Sequence, residues 1–97
     1  MFYNREGKQI TSEEFEKLFT DDKYKIIKQE DVGKYFISTV WLGVNYNFGE
    51  GELLIFETVV FEGRDLGADL EMERYSTEKE AIKGHKKMVN RFKKLNK

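Results

Sequence analysis

Cysteine and proline are both missing from this chain of 97 residues. Without cysteine there is no disulfide, no thiolate nucleophile and no cysteine-based zinc or iron–sulfur centre, a composition that suits a reducing compartment. With no proline, no low-complexity tract and no internal repeat, nothing reads as a linker or a repeat array. Histidine is almost missing too. His85 is alone, so a metal site would need carboxylates for all its other ligands, and neither metal nor cofactor is expected. Long apolar runs are also lacking: the longest, Leu53 to Phe56, falls far short of the ~20 residues that cross a bilayer. The start, Met1-Phe2-Tyr3 followed by Asn4, Arg5 and Glu6, does not have the basic and then apolar pattern of a leader. A cytoplasmic protein is expected.

The net charge is −1, which makes no case for an acidic substrate. Its distribution along the chain is uneven. Nine acidic residues against three basic ones lie between Gly51 and Glu80, and seven basic residues with no acidic one follow from Ala81 onward. An electrically lopsided molecule is the expectation. The length suits one domain over residues 1–97, large enough to bury roughly 60–70% of the surface its unfolded chain exposes.

Two helix starts carry the same signal. Thr11-Ser12-Glu13-Glu14 and Thr77-Glu78-Lys79-Glu80 read as capping boxes, in which a threonine hydroxyl accepts from an orphan amide and a glutamate three residues on reaches back. The first helix is short, ending near Phe19 before Asp21-Asp22. The second is predicted from Glu78 to Leu95, with Ala81, Ile82, His85, Met88, Val89 and Phe92 on one apolar stripe. Between the helices, Tyr24 to Gln29, Tyr35 to Leu42, Leu53 to Phe61 and Leu70 to Tyr75 are rich in β-branched and aromatic residues and read as strands. Asp31-Val32-Gly33-Lys34 is a hairpin turn between the first two. Met1 to Tyr3 is read as a further edge strand. The connections are too short for crossover helices. The prediction is an α+β fold: an antiparallel sheet of four or more strands with two helices packed on one face.

Several segments together resemble a known family. Ser38-Thr39-Val40-Trp41-Leu42-Gly43, then Leu54-Ile55-Phe56-Glu57-Thr58-Val59-Val60-Phe61, then Arg74-Tyr75-Ser76-Thr77 with Ala81, Gly84-His85 and Met88-Val89, form an ordered series. It is similar to a family of small, uncharacterised bacteriophage, prophage and mobile-element proteins, whose members read STVWLG, LIFETMVF and RYxTxxxAxxGHxxMV. Val59 stands where methionine is common, and the intervening loop lacks the prolines often found there. The resemblance implies a phage-associated origin, and so the cytoplasm of a host cell. It transfers no activity and no site residue.

Candidate chemistry centres on His85, the one side chain whose ordinary titration range spans neutrality. Its place on the apolar stripe points it at the sheet, where a buried imidazole needs a hydrogen bond. Glu57 interrupts an apolar strand and is the first partner to consider; on the helix-covered face it could accept from His85, Tyr75 or the Trp41 indole. A His85–Glu57 pair could do acid–base work or simply clasp helix to sheet, and the clasp is the reading preferred here. Ser38 and Thr39 lie inside a strand rather than on a nucleophile elbow. The loop glycines lack a following Lys-Ser or Lys-Thr, and Asp65 and Asp69 lack the ligand pattern of a calcium loop. Lys83, Lys86, Lys87, Lys93 and Lys94 on the last helix could neutralise phosphates or only solvate a surface. Tyr46 and Phe48 are loop aromatics that could anchor a protein partner.

The expectation is therefore a small non-enzymatic phage or mobile-element accessory protein that binds a host or phage protein. A nucleic-acid-binding protein using Lys83, Lys86, Lys87 and Lys94 is the second reading. A small enzyme centred on His85 and Glu57, with Tyr75, is the third.

Overall fold

The computed structural model describes residues 1–47, 49, 51–63 and 69–96; Phe48 and Asp65 lie outside them. In chain order the elements are β1 (Phe2–Tyr3), β2 (Gln9–Ile10), α1 (Ser12–Phe19), α2 (Asp22–Lys25), β3 (Ile26–Val32), β4 (Tyr35–Trp41), β5 (Phe56–Glu62), β6 (Asp69–Tyr75) and α3 (Glu78–Leu95). Strands β3 to β6 form an antiparallel sheet in sequential order. The fold is α+β, as the patterning predicts, and α3 lies across one face of the sheet.

Local chemistry explains the elements. Thr11 closes a full capping box with Glu14 at the start of α1. The Thr77 hydroxyl accepts from the Glu80 amide at 3.1 Å at the start of α3. Gly33 takes a φ of +59° in the two-residue turn between β3 and β4, a backbone shape that L side chains resist. Asp21 caps α2, its side chain accepting from the Lys23 amide, so Tyr24 and Lys25 are helical where a strand is expected from Tyr24 onward. The strand starts at Ile26 and runs on to Val32.

Two further expectations are corrected. Phe2–Tyr3 does not extend the main sheet. It pairs with Gln9–Ile10 in a separate two-stranded ribbon, because the Gly7 turn, with φ +81°, folds the chain straight back. Ile82 does not join the helix face that packs on the sheet but stays 44% exposed. The buried residues of α3 are Ala81, Gly84, His85, Met88, Val89 and Phe92, and at 100° per residue Ile82 falls about 90° from their centre.

The core on the helix side is in two parts. Val32, Ile37 and Val60 meet Met88, Val89 and Phe92. Trp41, Ile55, Phe56 and Tyr75 meet Ala81, with Phe15, Leu18, Tyr24 and Ile27 packed around them. The ribbon and α1 close the second part: the Trp41 indole donates to the Tyr3 carbonyl at 3.0 Å, and the Phe15 ring lies 5.8 Å from Trp41. Arg5 ties the ribbon to α3 through two contacts to Glu78, at 2.7 and 2.6 Å.

Gly84 sets how closely helix and sheet approach. A Cβ placed there would lie 2.2 Å from the Tyr75 ring and hydroxyl. Gly84→Ala is therefore expected to destabilise the fold by about 1–3 kcal/mol through overpacking, outweighing the gain of up to about 1 kcal/mol that alanine brings to a helix interior. Urea unfolding of the variant checks this; an unchanged or raised midpoint would refute the close approach.

Candidate functional site

Between the two apolar clusters runs a line of polar side chains. On β4, Thr39 sits between Ile37 and Trp41 on the helix-facing side; on β5, Thr58 sits between Phe56 and Val60, directly opposite Thr39. Both threonines are fully buried, and their hydroxyl oxygens are 2.5 Å apart. His85 descends from α3 onto them, 1% exposed. Its Nδ1 is 2.7 Å from Thr39 Oγ1, and its Nε2 is 2.7 Å from Glu30 Oε1 on β3. At the other end the Tyr75 hydroxyl donates to Thr58 Oγ1 at 3.1 Å. One continuous chain thus joins four strands and the helix: Glu30, His85, Thr39, Thr58, Tyr75.

The direction of the hydrogen bonds follows from the inventory of donors. With Tyr75 donating to Thr58, the arrangement that uses every hydroxyl hydrogen has Thr58 donating to Thr39. The Thr39 hydrogen then goes to His85 Nδ1, and His85 Nε2–H donates to the Glu30 carboxylate. Each donor is then used once. Among the described residues no buried side-chain nitrogen or oxygen lacks a partner, the condition under which a buried polar network stabilises rather than costs.

His85 thus points inward and is hydrogen-bonded, as its helical position predicts, but the partner expected first is wrong. Glu57 lies on the other face of the sheet, in register with Val40 and Arg74. Its carboxylate accepts from Arg74 Nε at 2.9 Å. The parity of β5 decides this: Thr58, not Glu57, alternates with the buried Phe56 and Val60. Tyr75 joins the chain through Thr58, at the end far from His85. No cleft brings His85, Glu57 and Tyr75 together.

Glu30, Thr39 and Thr58 were missed by sequence reasoning. A signal existed for the threonines, since each stands where period-2 alternation demands an apolar residue, and a hydroxyl there needs a partner. Glu30 carries no such mark on a strand reading Lys28-Gln29-Glu30-Asp31.

The other candidates fall apart in space. Lys83, Lys86, Lys87, Lys93 and Lys94 are all exposed on α3. Strand β6 runs beside them, with Arg91 paired to Glu71 at 3.0 Å and Glu73 and Glu80 lining one depression with Lys83 and Lys87. The acidic and basic runs of the sequence therefore lie side by side, and the expected lopsidedness is largely cancelled on this flank. Tyr46 is 36% exposed and stacks under the Arg74 guanidinium, 4.5 Å from ring centre to cation. Among the described residues no group of three or more His, Asp or Glu side chains is placed to hold a metal ion, and no helix is long and apolar enough to cross a membrane.

Burial raises the pKa of Tyr75, opposed by its bond to Thr58. Burial likewise raises that of Tyr24, opposed by the Arg5 amide. The native state therefore keeps these protons to higher pH than the unfolded chain. Stability from this source is intact below about pH 10 and is lost as pH rises through the native values. Tyr75→Phe should flatten the fall in urea midpoint above about pH 10; an unchanged slope would show that Tyr75 does not contribute. His85→Ala should lower stability by about 1–3 kcal/mol by opening a gap and removing the ring's bonds to Thr39 and Glu30. His85→Gln should recover part of that loss. Thermal unfolding measures both, and an alanine variant as stable as the parent would refute the structural role.

Comparison with protein families, with curated proteins and with solved structures finds no match to this chain, so its functional reading rests on its own residues.

Proposed function

We propose that this chain is a small non-enzymatic accessory protein, of phage or mobile-element origin and acting in the host cytoplasm, that binds a host or phage protein through the free face of its sheet. The observation that carries this reading is the amphipathic use of the sheet. α3 covers one face, and no described helix lies over the other. In register across that face run Phe36 and Phe61, then Ser38, Val59 and Met72, then Val40, Glu57 and Arg74; Phe36 and Ser38 are buried, so the exposed part lies toward β6. Met72 is 43% exposed and Leu70 beside it is also exposed. Tyr46 caps Arg74 at one corner. Exposed Leu70 and Met72, beside polar Arg74 and aromatic Tyr46, have the composition of a protein-binding patch.

The other two readings draw less support. Both ring nitrogens of His85 are engaged within the core, which leaves an enzyme no exposed base. Lys83 and Lys87 share a depression with Glu73 and Glu80, and Arg91 pairs with Glu71, which weakens the attraction of this flank for a phosphate backbone.

The test is capture of partners from host lysate by the tagged chain, with and without nuclease. Met72→Lys with Tyr46→Ala should reduce capture of a specific protein at least about tenfold, as loss of an interface anchor does. Lys83→Gln with Lys87→Gln and Lys94→Gln should leave capture unchanged. All five positions are on the surface, so stability should stay within about 0.5 kcal/mol per substitution. Capture lost on nuclease treatment, or abolished by the lysine changes alone, would overturn the reading in favour of nucleic acid.

A further inference from the structure

A cavity of about 190 Å³ opens on the helix side of the molecule, beside His85 and away from the free sheet face. The turn after β1 supplies Arg5, the start of β3 supplies Ile27 and Lys28, and α3 supplies Glu78, Ile82, His85 and Lys86. Its walls are apolar: Ile27 is half-buried there, and Ile82 faces it instead of the core. Its mouth is cationic. Arg5 is neutralised by Glu78 through two contacts. Lys28 is 3.9 Å from Glu30 Oε1, but that same oxygen accepts from His85 Nε2 at 2.7 Å. Lys86 has no ion-pair partner among the described residues. Three cations, Arg5, Lys28 and Lys86, thus surround the opening against two carboxylates, Glu78 and Glu30, an excess of one positive charge.

We infer that this cavity binds a small carboxylic acid with a compact apolar body, such as an acid built on a single ring. Three properties select that class. The volume matches one ring, since an apolar cavity of about 150 Å³ holds benzene. Two isoleucine side chains offer contact but no hydrogen-bond donor, so a fully polar anion such as inorganic phosphate is poorly held. Lys28 and Lys86 supply the charge that one carboxylate balances, and they repel an amine of the same shape. The acid enters ring first, between Ile27 and Ile82, and leaves its carboxylate at the mouth between the two ammonium groups. This site is independent of the protein-binding face, and either can stand without the other.

His85 is the only histidine and lines the cavity, so its ring signals in NMR spectra report occupancy without ambiguity. Titration of the full chain with benzoate should shift the His85 ring and Ile82 methyl signals saturably, with a Kd near about 1 mM, as a ligand of about nine heavy atoms warrants. Benzyl alcohol should bind more weakly and benzylamine should give no saturable shift. Lys28→Gln with Lys86→Gln should weaken benzoate about tenfold while leaving the unfolding midpoint in place. Ile82→Glu, another exposed position, should abolish binding. No saturable shift with benzoate up to about 10 mM, equal binding of the amine or the alcohol, or unchanged affinity in the double lysine variant would each overturn the assignment.

Discussion

The contact on which the fold turns is the hydrogen bond between His85 on the helix and Thr39 in the middle of the sheet. An apolar stripe on a helix can slide along an apolar sheet at modest cost, because methyl groups are interchangeable. A hydroxyl and an imidazole are not. Moving α3 by one residue would put His85 among side chains with nothing to offer it and take from Thr39 and Glu30 their bonds to the ring, at about 1–3 kcal/mol for each buried group left unsatisfied. The chain from Glu30 to Tyr75 crosses the core between its two apolar clusters and touches all four strands of the sheet as well as the helix. It sets the register of the helix on the sheet, and Gly84 then sets the distance by giving room to the Tyr75 ring.

Much of this architecture was legible because the signals were local. Capping threonines at positions 11 and 77, a 3.6-residue stripe in the last helix and a glycine turn at position 33 each act within a few residues, and each appears where expected. What failed needed information from elsewhere in the chain. Glu57 lies in a strand apolar on both faces, where Phe56, Val59, Val60 and Phe61 give no clean alternation. Only pairing with β4 and β6 decides which parity turns inward. Glu30 is 55 residues from His85, and nothing on its own strand sets it apart from Lys28 or Asp31. Ile82 belongs to the stripe by hydropathy, yet a helix lying on a flat sheet buries a narrower arc than one wrapped by other helices. The residue at the edge of the stripe is left to line a cavity.

The placement of charge has the same long-range origin. Along the sequence the acidic and basic runs are separate, but Ser76 and Thr77 turn the chain back so that β6 and α3 lie side by side. Glu71 then meets Arg91, and Glu73 and Glu80 border Lys83 and Lys87. On the opposite flank of the same helix the balance tips the other way, because Glu30 is drawn inward by His85 and offers Lys28 only a distant contact. Lys86 is left beside that site with no carboxylate of its own. The core hydrogen bond therefore shapes the surface as well. By holding Glu30 to the imidazole, it keeps that carboxylate at the outer limit of reach of Lys28, and Lys86 beside it is left without an ion-pair partner among the described residues.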